Sequence, residues 1–287
     1  MKTINVLSAT LCFGLLSGCT SLDKTRDEYE TLRKKPIGKI YKSISNFSKE
    51  LKCMDDLMVK YNIKDVGVMV EDIADRTEEV KAGAKDMLIS AISEMTTESH
   101  GIRLVAYGKD TPNAITFLKR ANNLSPYKNV PPYDIRGSIS QFDKKVVHED
   151  GSLGLFSRRE GGLGASNVSS VSILAMDLNV IKTDDLSVVP GVTSKNSISI
   201  YRQGRSLDAD ARIDKYGVYF DMNLSRSEGV AQALRNLVEL ASIELVGKLT
   251  RVPYWTCLGV DANDPDMQLE LRNWQRLTPT LPDESSA

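Results

Sequence analysis

The chain has 287 residues, with 37 Lys and Arg against 38 Asp and Glu and a formal net charge of −1. That balance offers no electrostatic case for a nucleic acid or another polyanion as partner. The length, with 41% hydrophobic residues, is enough to bury the core of one large domain or two small ones.

Residues 1–18 read as a secretory signal. Lys2 is followed by an apolar stretch from Ile4 to Leu16, then by Ser17 and Gly18 directly before Cys19. The stretch is too short for a permanent span of the ~30 Å hydrocarbon core. Leu16-Ser17-Gly18-Cys19 resembles the bacterial lipobox, which implies cleavage before Cys19 and its acylation with palmitate-type chains. Thr20 and Ser21 follow, without the aspartate that marks inner-membrane retention. The pattern therefore implies a lipid-anchored protein of the Gram-negative outer membrane, facing the periplasm. Of the four cysteines, Cys12 leaves with the signal, and Cys53 and Cys257 remain beside the lipidated Cys19. In an oxidising compartment that pair is either a disulfide or two separate buried thiols.

Residues 19–38 are polar and charged up to Arg33-Lys34-Lys35-Pro36, as expected of a tether. A domain is expected over 39–258. Ile44, Phe47, Leu51, Met54 and Met58 recur at helical spacing, and Asp65–Val70 reads as a core strand. Val80, Ala84, Met87, Leu88, Ala91 and Ile92 mark a second amphipathic helix. A strand at Ile102–Tyr107 and a short helix from Asn113 to about Ala121 follow, ended by Asn122-Asn123 and the prolines at 126, 131 and 132. This alternation predicts a compact α/β or α+β unit.

From Asp134 the period changes to two. Extended segments at about 135–147, 166–182, 192–203 and 212–223 predict two long hairpins, about 135–182 and 192–223. Ser170, Ser172, Leu174, Met176, Leu178 and Val180 share one face of the second segment. Ile198 and Ile200 alternate with serines, and Tyr216, Val218, Phe220 and Met222 alternate with Gly217, Tyr219, Asp221 and Asn223. Such stretches suit transmembrane β-strands, with these six apolar residues facing lipid, or a long soluble hairpin. The charges at Asp143, Lys144, Lys145, His148, Glu149 and Asp150 fit the spanning reading least. Two hairpins from one subunit cannot close a barrel, so spanning requires a ring of copies that pair their edges. Helical period returns in Val230, Leu234, Leu237, Val238, Ala241, Leu245 and Leu249, with an end near Thr250–Pro253. Residues 259–287 read as a polar C-terminal tail with a short helix at Met267–Leu277.

This layout resembles the curli-secretion-channel (CsgG-like) family of outer-membrane lipoproteins over roughly residues 63–256. The residues that carry the likeness are Cys19, the core strand leading into Ile73-Ala74-Asp75-Arg76-Thr77, and the helix with Met87-Leu88-Ile89. Tyr133–Ile139, the Gly161-Gly162-Leu163-Gly164-Ala165 turn, Thr193-Ser194-Lys195 and a long closing helix complete it. The resemblance implies a periplasmic α/β domain whose copies form a ring and share an outer-membrane barrel for export of an unfolded polypeptide. It places Asp75, Arg76, Thr77, Glu78 and Glu79 at the central constriction. The family's gate loop carries aromatic and amide residues that this stretch lacks, so the gate is missing or lined by charge. Relatives without spanning hairpins form periplasmic rings for polysaccharide export or around flagellar motors, which gives the alternative of a scaffold for an envelope machine. The partners implied are further copies of the chain, outer-membrane lipid, and either exported polypeptide or other envelope proteins.

No enzyme signature is present. His100 and His148 sit among polar neighbours, and there is no HExxH, CxxC or GxSxG. Gly161–Gly164 lacks the lysine and the strand-to-helix context of a phosphate loop. Asp261–Asp266 has the carboxylate density of a calcium loop but lacks the glycine and the terminal glutamate. Trp255 reads as a core or subunit-interface anchor. No metal or cofactor is expected.

Overall fold

The computed structural model describes residues 47–80, 82–105, 107–108, 129–149, 167–203, 208–215, 218–225, 229–261 and 263–277. The signal, Cys19, the tether, the expected helix at 113–121 and the Gly161–Ala165 turn lie outside them. In chain order the elements are α1 (Ser48–Lys60), β1 (Val66–Val70), β2 (Ala74–Asp75), α2 (Ala84–Glu94) and β3 (Ile102–Val105). Then come β4 (Tyr133–Glu149), β5 (Asn167–Lys182), β6 (Val188–Gln203), β7 (Asp208–Lys215), β8 (Val218–Ser225), α3 (Gly229–Thr250), a 3-10 turn (Tyr254–Thr256) and α4 (Pro265–Leu277).

The strands form one mixed sheet of order β3-β1-β4-β5-β6-β7-β8, with β2 pairing β4 at Ser138 and Ile139. β1 runs parallel to β3 and β4, while β4 through β8 are antiparallel. This is the mixed α/β class, built as an open sheet.

Apolar positions at period two put Leu174, Met176, Leu178 and Val180 of β5 on the buried face, with Ile198 and Ile200 of β6 and Ala211 and Ile213 of β7. α3 lies on that face and reaches β5, β6 and β8. The stripe read from the sequence understates this helix. From Ala233 to Lys248 it is buried on nearly every side, because α1 and α2 pack over the face turned away from the sheet. The core is continuous from Phe47, just before α1, to Met267 on α4.

Two glycines permit close approaches. A Cβ on Gly247 of α3 would lie 2.4 Å from the Cβ of Tyr254, a fully buried ring, and one on Gly137 would lie 2.1 Å from the Asp177 carbonyl oxygen. Between Ile139 and Gln141 the β4–β5 pairing shifts by one residue. Before this bulge the buried apolar residues of β4 are Ile135 and Ile139; after it Phe142, opposite Leu174, packs on the core.

Three sequence expectations change here. The segment expected as one strand at 212–223 is two strands, β7 and β8, in antiparallel register from Asp208↔Ser225 to Lys215↔Val218. Tyr216 and Gly217 fall between them, outside the described residues. The domain does not stop at 258: Leu258, Val260 and Met267 are core residues and α4 packs on β6, so the folded part runs into what read as a polar tail. Ile198 and Ile200, expected to face lipid, are in the core beneath α3. Their alternation with serine is that of a strand half-covered by the protein's own helix.

Candidate functional site

The stretch expected at a constriction is a closed turn at the border of the sheet. β2 positions it by pairing with β4, and the Arg76 N–H continues the ladder to the Ile139 carbonyl at 3.1 Å. The Asp75 carboxylate accepts from the Thr77 N–H at 2.9 Å, the Thr77 hydroxyl at 2.5 Å and the Val80 N–H at 2.7 Å. Burial pushes the Asp75 carboxyl up, but these donors, with the Glu78 N–H, outweigh it and hold the group below its ordinary range. Glu78 takes the left-handed conformation, φ 59°, at the tip of the turn. Arg76, Glu78 and Glu79 are exposed, and Val80 returns the chain to the core.

Glu79 makes one long-range link, an ion pair at 2.5 Å to Lys144 on β4. Lys144 also lies 4.8 Å from the centroid of the Phe142 ring. The turn is thereby fastened to the part of β4 that runs on beyond its pairing with β2. The arrangement is a rigid, charged corner with its carboxylate spent on backbone donors, and a spent carboxylate has no lone pair aimed at a substrate.

Sequence reasoning missed two polar clusters. The first is a seam under α3. Glu244 and Lys248, one helical turn apart, face β6 from the buried second half of α3. Glu244 is fully buried, pairs with Lys215 of β7 at 2.6 Å, and accepts from the Ser194 hydroxyl at 2.7 Å and the Asn196 amide at 3.2 Å. Lys248 donates to the Thr193 carbonyl at 2.8 Å and pairs with Glu270 of α4, which also accepts from the Tyr254 hydroxyl at 3.2 Å. The seam stitches β7, α3, β6 and α4 together. The signal in the sequence was the two charges four residues apart inside an apolar helical run.

The second is Asp134 at the start of β4. It is buried, and neither carboxylate oxygen has a hydrogen-bond partner. Burial, and then the nearby Glu71 carboxylate, push its carboxyl up to about 7, against a smaller pull from Arg136. Only the tertiary fold buries it, so composition gave no warning.

Of the other predicted residues, Cys53 of α1 and Cys257 are bonded, with Cα atoms 5.6 Å apart. Val218, Phe220 and Met222 lie on β8, in register with Lys215, Ile213 and Ala211. Trp255 packs on the core at the edge of the Tyr254 ring, the centroids 5.5 Å apart. His100 is exposed, and His148 lies on β4 opposite Val168. Asp261 and Asp264 bind local N–H groups, Asp264 accepting from Asp266 and Met267 at the start of α4. That is a helix-capping arrangement. Among the described residues no group of three His, Cys, Asp or Glu side chains could hold a metal ion.

No family model and no curated protein matches the chain. Among solved structures it is similar to two dodecamers of PelC from Paraburkholderia phytofirmans, one of them a point variant. Each gives a TM-score of 0.28 and 14% identity over 63% of this chain, and 89% and 88% of the PelC chains are covered. At that level the likeness carries no functional argument.

Proposed function

We propose that this chain is a lipid-anchored envelope protein whose α/β domain assembles into a ring that scaffolds an export or motor complex from the periplasmic side, without crossing the membrane. The observation that carries the non-spanning part is the second hairpin. Its apolar residues Ile198, Ile200, Ala211 and Ile213 are buried in the core beneath α3. Beyond the buried pair Ile200↔Ala211, β6 continues for only 201–203 and β7 begins only at 208. Three residues rise about 10 Å, whereas a spanning strand needs about 9–11 residues.

The CsgG-like order of elements supports the ring, as do the borders of the sheet. Among the described residues no strand pairs the outer side of β8, or of β4 beyond Ile139. The Cys53–Cys257 bond fits an oxidising compartment and so an exported chain. The reading includes no catalytic step and no cofactor. One observation favours the channel instead: the first hairpin continues past Phe142↔Leu174 to Glu149↔Asn167, a reach of about 24 Å.

Reconstitution of the purified lipidated protein into planar bilayers separates the two. We expect ring-shaped particles in negative stain and no ion conductance. Stepwise conductance abolished by a charge at Val146 or Val147 would establish the channel, and solitary particles at all concentrations would remove the ring.

A further inference from the structure

We infer that copies of the chain join side by side through two exposed, oppositely charged corners at the same end of the sheet. The inference rests on the ring reading and specifies the contact that would build it.

The first corner is the passage from α1 into β1. Val59 and Tyr61 are 53% and 37% exposed, and Lys60 and Lys64 stand beside them, Lys60 Nζ lying 5.7 Å from the centroid of the Tyr61 ring. Asn62 and Asp65 both take left-handed backbone, φ 52° and 53°, which makes the turn tight and fixes what it presents. Asp65 is engaged by Arg103 at 2.6 Å, so the corner shows positive charge around two apolar side chains.

The second corner is the β5–β6 turn. Val130, Leu186 and Val188 are 74%, 69% and 53% exposed, and Asp184 and Asp185 stand among them at the surface. Leu186 is held at φ 59°, a costly conformation for a bulky side chain, while Lys182 N–H to the Ser187 carbonyl at 2.9 Å closes the turn around it. The Thr183 N–H and hydroxyl bind the carbonyls of Pro132 and Pro131 at 3.1 and 2.5 Å, fastening the turn to the segment before β4. Between them is a cleft of about 580 Å³ lined by Val130, Pro132, Tyr133, Lys182, Thr183 and Asp184. Within the turn itself, among the described residues, Lys182 is the basic group against Asp184 and Asp185.

At this end of the sheet β4 separates the basic corner at β3–β1 from the acidic turn at β5–β6, and the Pro131-Pro132 segment lies between them, against Gly67 of β1. β7 pairs β6 only at Ser199–Tyr201, so at the other end the sheet runs β3-β1-β4-β5-β6. The Asp65 N–H to the His100 carbonyl and Val66↔Ile102 hold the basic corner at the β3–β1 border, and Ile181↔Val188 holds the acidic corner at the β6 border. Two unlike patches make a head-to-tail contact, the type that closes into a ring when the rotation between copies allows it. Apolar side chains inside a charged rim, with a tyrosine as anchor, are the composition of a protein interface, and the complementary charges select a second copy as occupant.

The test uses the full lipidated chain in mild detergent, with mass read by light scattering over a concentration series. The variants are Lys60→Glu with Lys64→Glu, Asp184→Lys with Asp185→Lys, and all four changes together. Either pair alone should raise the concentration of half-assembly about tenfold or more, and the four together should return it to within about threefold of wild type. Unchanged circular dichroism and melting would show that the fold is intact. Rings insensitive to both pairs, or a fourfold variant that stays dissociated, overturn this contact and leave the ring standing. A wild-type chain that is monomeric throughout overturns both.

Discussion

Asp134 is a buried carboxyl beside the Glu71 carboxylate, and its neighbourhood favours the protonated form. The charged groups acting on it are Glu71, beyond the end of β1, and Arg136, two residues along β4, while its direct neighbour on β5 is Ile181. With a folded value raised from 3.8 to about 7, the folded state binds the extra proton between those limits. Stability therefore falls as pH rises from about 4 to about 7 and is level above, the reverse of Asp75, whose carboxyl is held low and weakens the fold only in acid. The expected outcome is a urea midpoint that drops from pH 5 to pH 8 by the equivalent of roughly 2 kcal/mol, and an Asp134→Asn protein in which that slope is largely lost. Equal slopes in the two proteins would show that Asp134 ionises as an ordinary surface carboxyl. Asp75 stood out in the sequence as a constriction candidate; that its charge is consumed by its own turn became apparent only with the Thr77 and Val80 donors in place.

At the scale of elements, the seam beneath α3 decides how firmly the second hairpin sits on the domain. Lys215 at the end of β7 is the cation of Glu244, and Glu244 is fully buried. Lys215→Met leaves that carboxylate without its counter-charge, an omission that costs about 3–5 kcal/mol in comparable buried pairs. Thermal unfolding should show a loss of that order, with Lys215→Arg retaining most of the stability. A Lys215→Met protein as stable as wild type would mean that Ser194 and Asn196 alone satisfy the glutamate. Most helices and strands were legible because their apolar periods are unambiguous, as in Leu234–Leu249 and Leu174–Val180. The faces were not. Ile198 and Ile200 have the same pattern whether lipid or a helix covers them, since both are apolar. The extra residue at Ser140 carries no periodic signal, because it shifts the register of a strand while leaving its composition intact, and the reversal between β7 and β8 falls inside a run that keeps its alternation.

For the molecule as a whole, the anchor and the fold are separable on this reading. Cys19→Ser should leave the domain folded, with the melting temperature of the wild-type domain, but release it as soluble periplasmic protein. Persistent sedimentation of that variant with outer membranes would show that a protein surface, and not the acyl chains, holds it there. What joins the two ends of the domain is sequence-distant: α1, the first described helix, is bonded through Cys53 to Cys257, 204 positions later.

That clasp sets an order of events for a newly made chain. Residue 53 has no covalent mate until residue 257 has emerged, and nearly all of the sheet and its central helix lie between them. The bond is thus a completeness mark. A chain cut short within α3 would lack the second half of the clasp and would leave the Cys53 thiol without its mate.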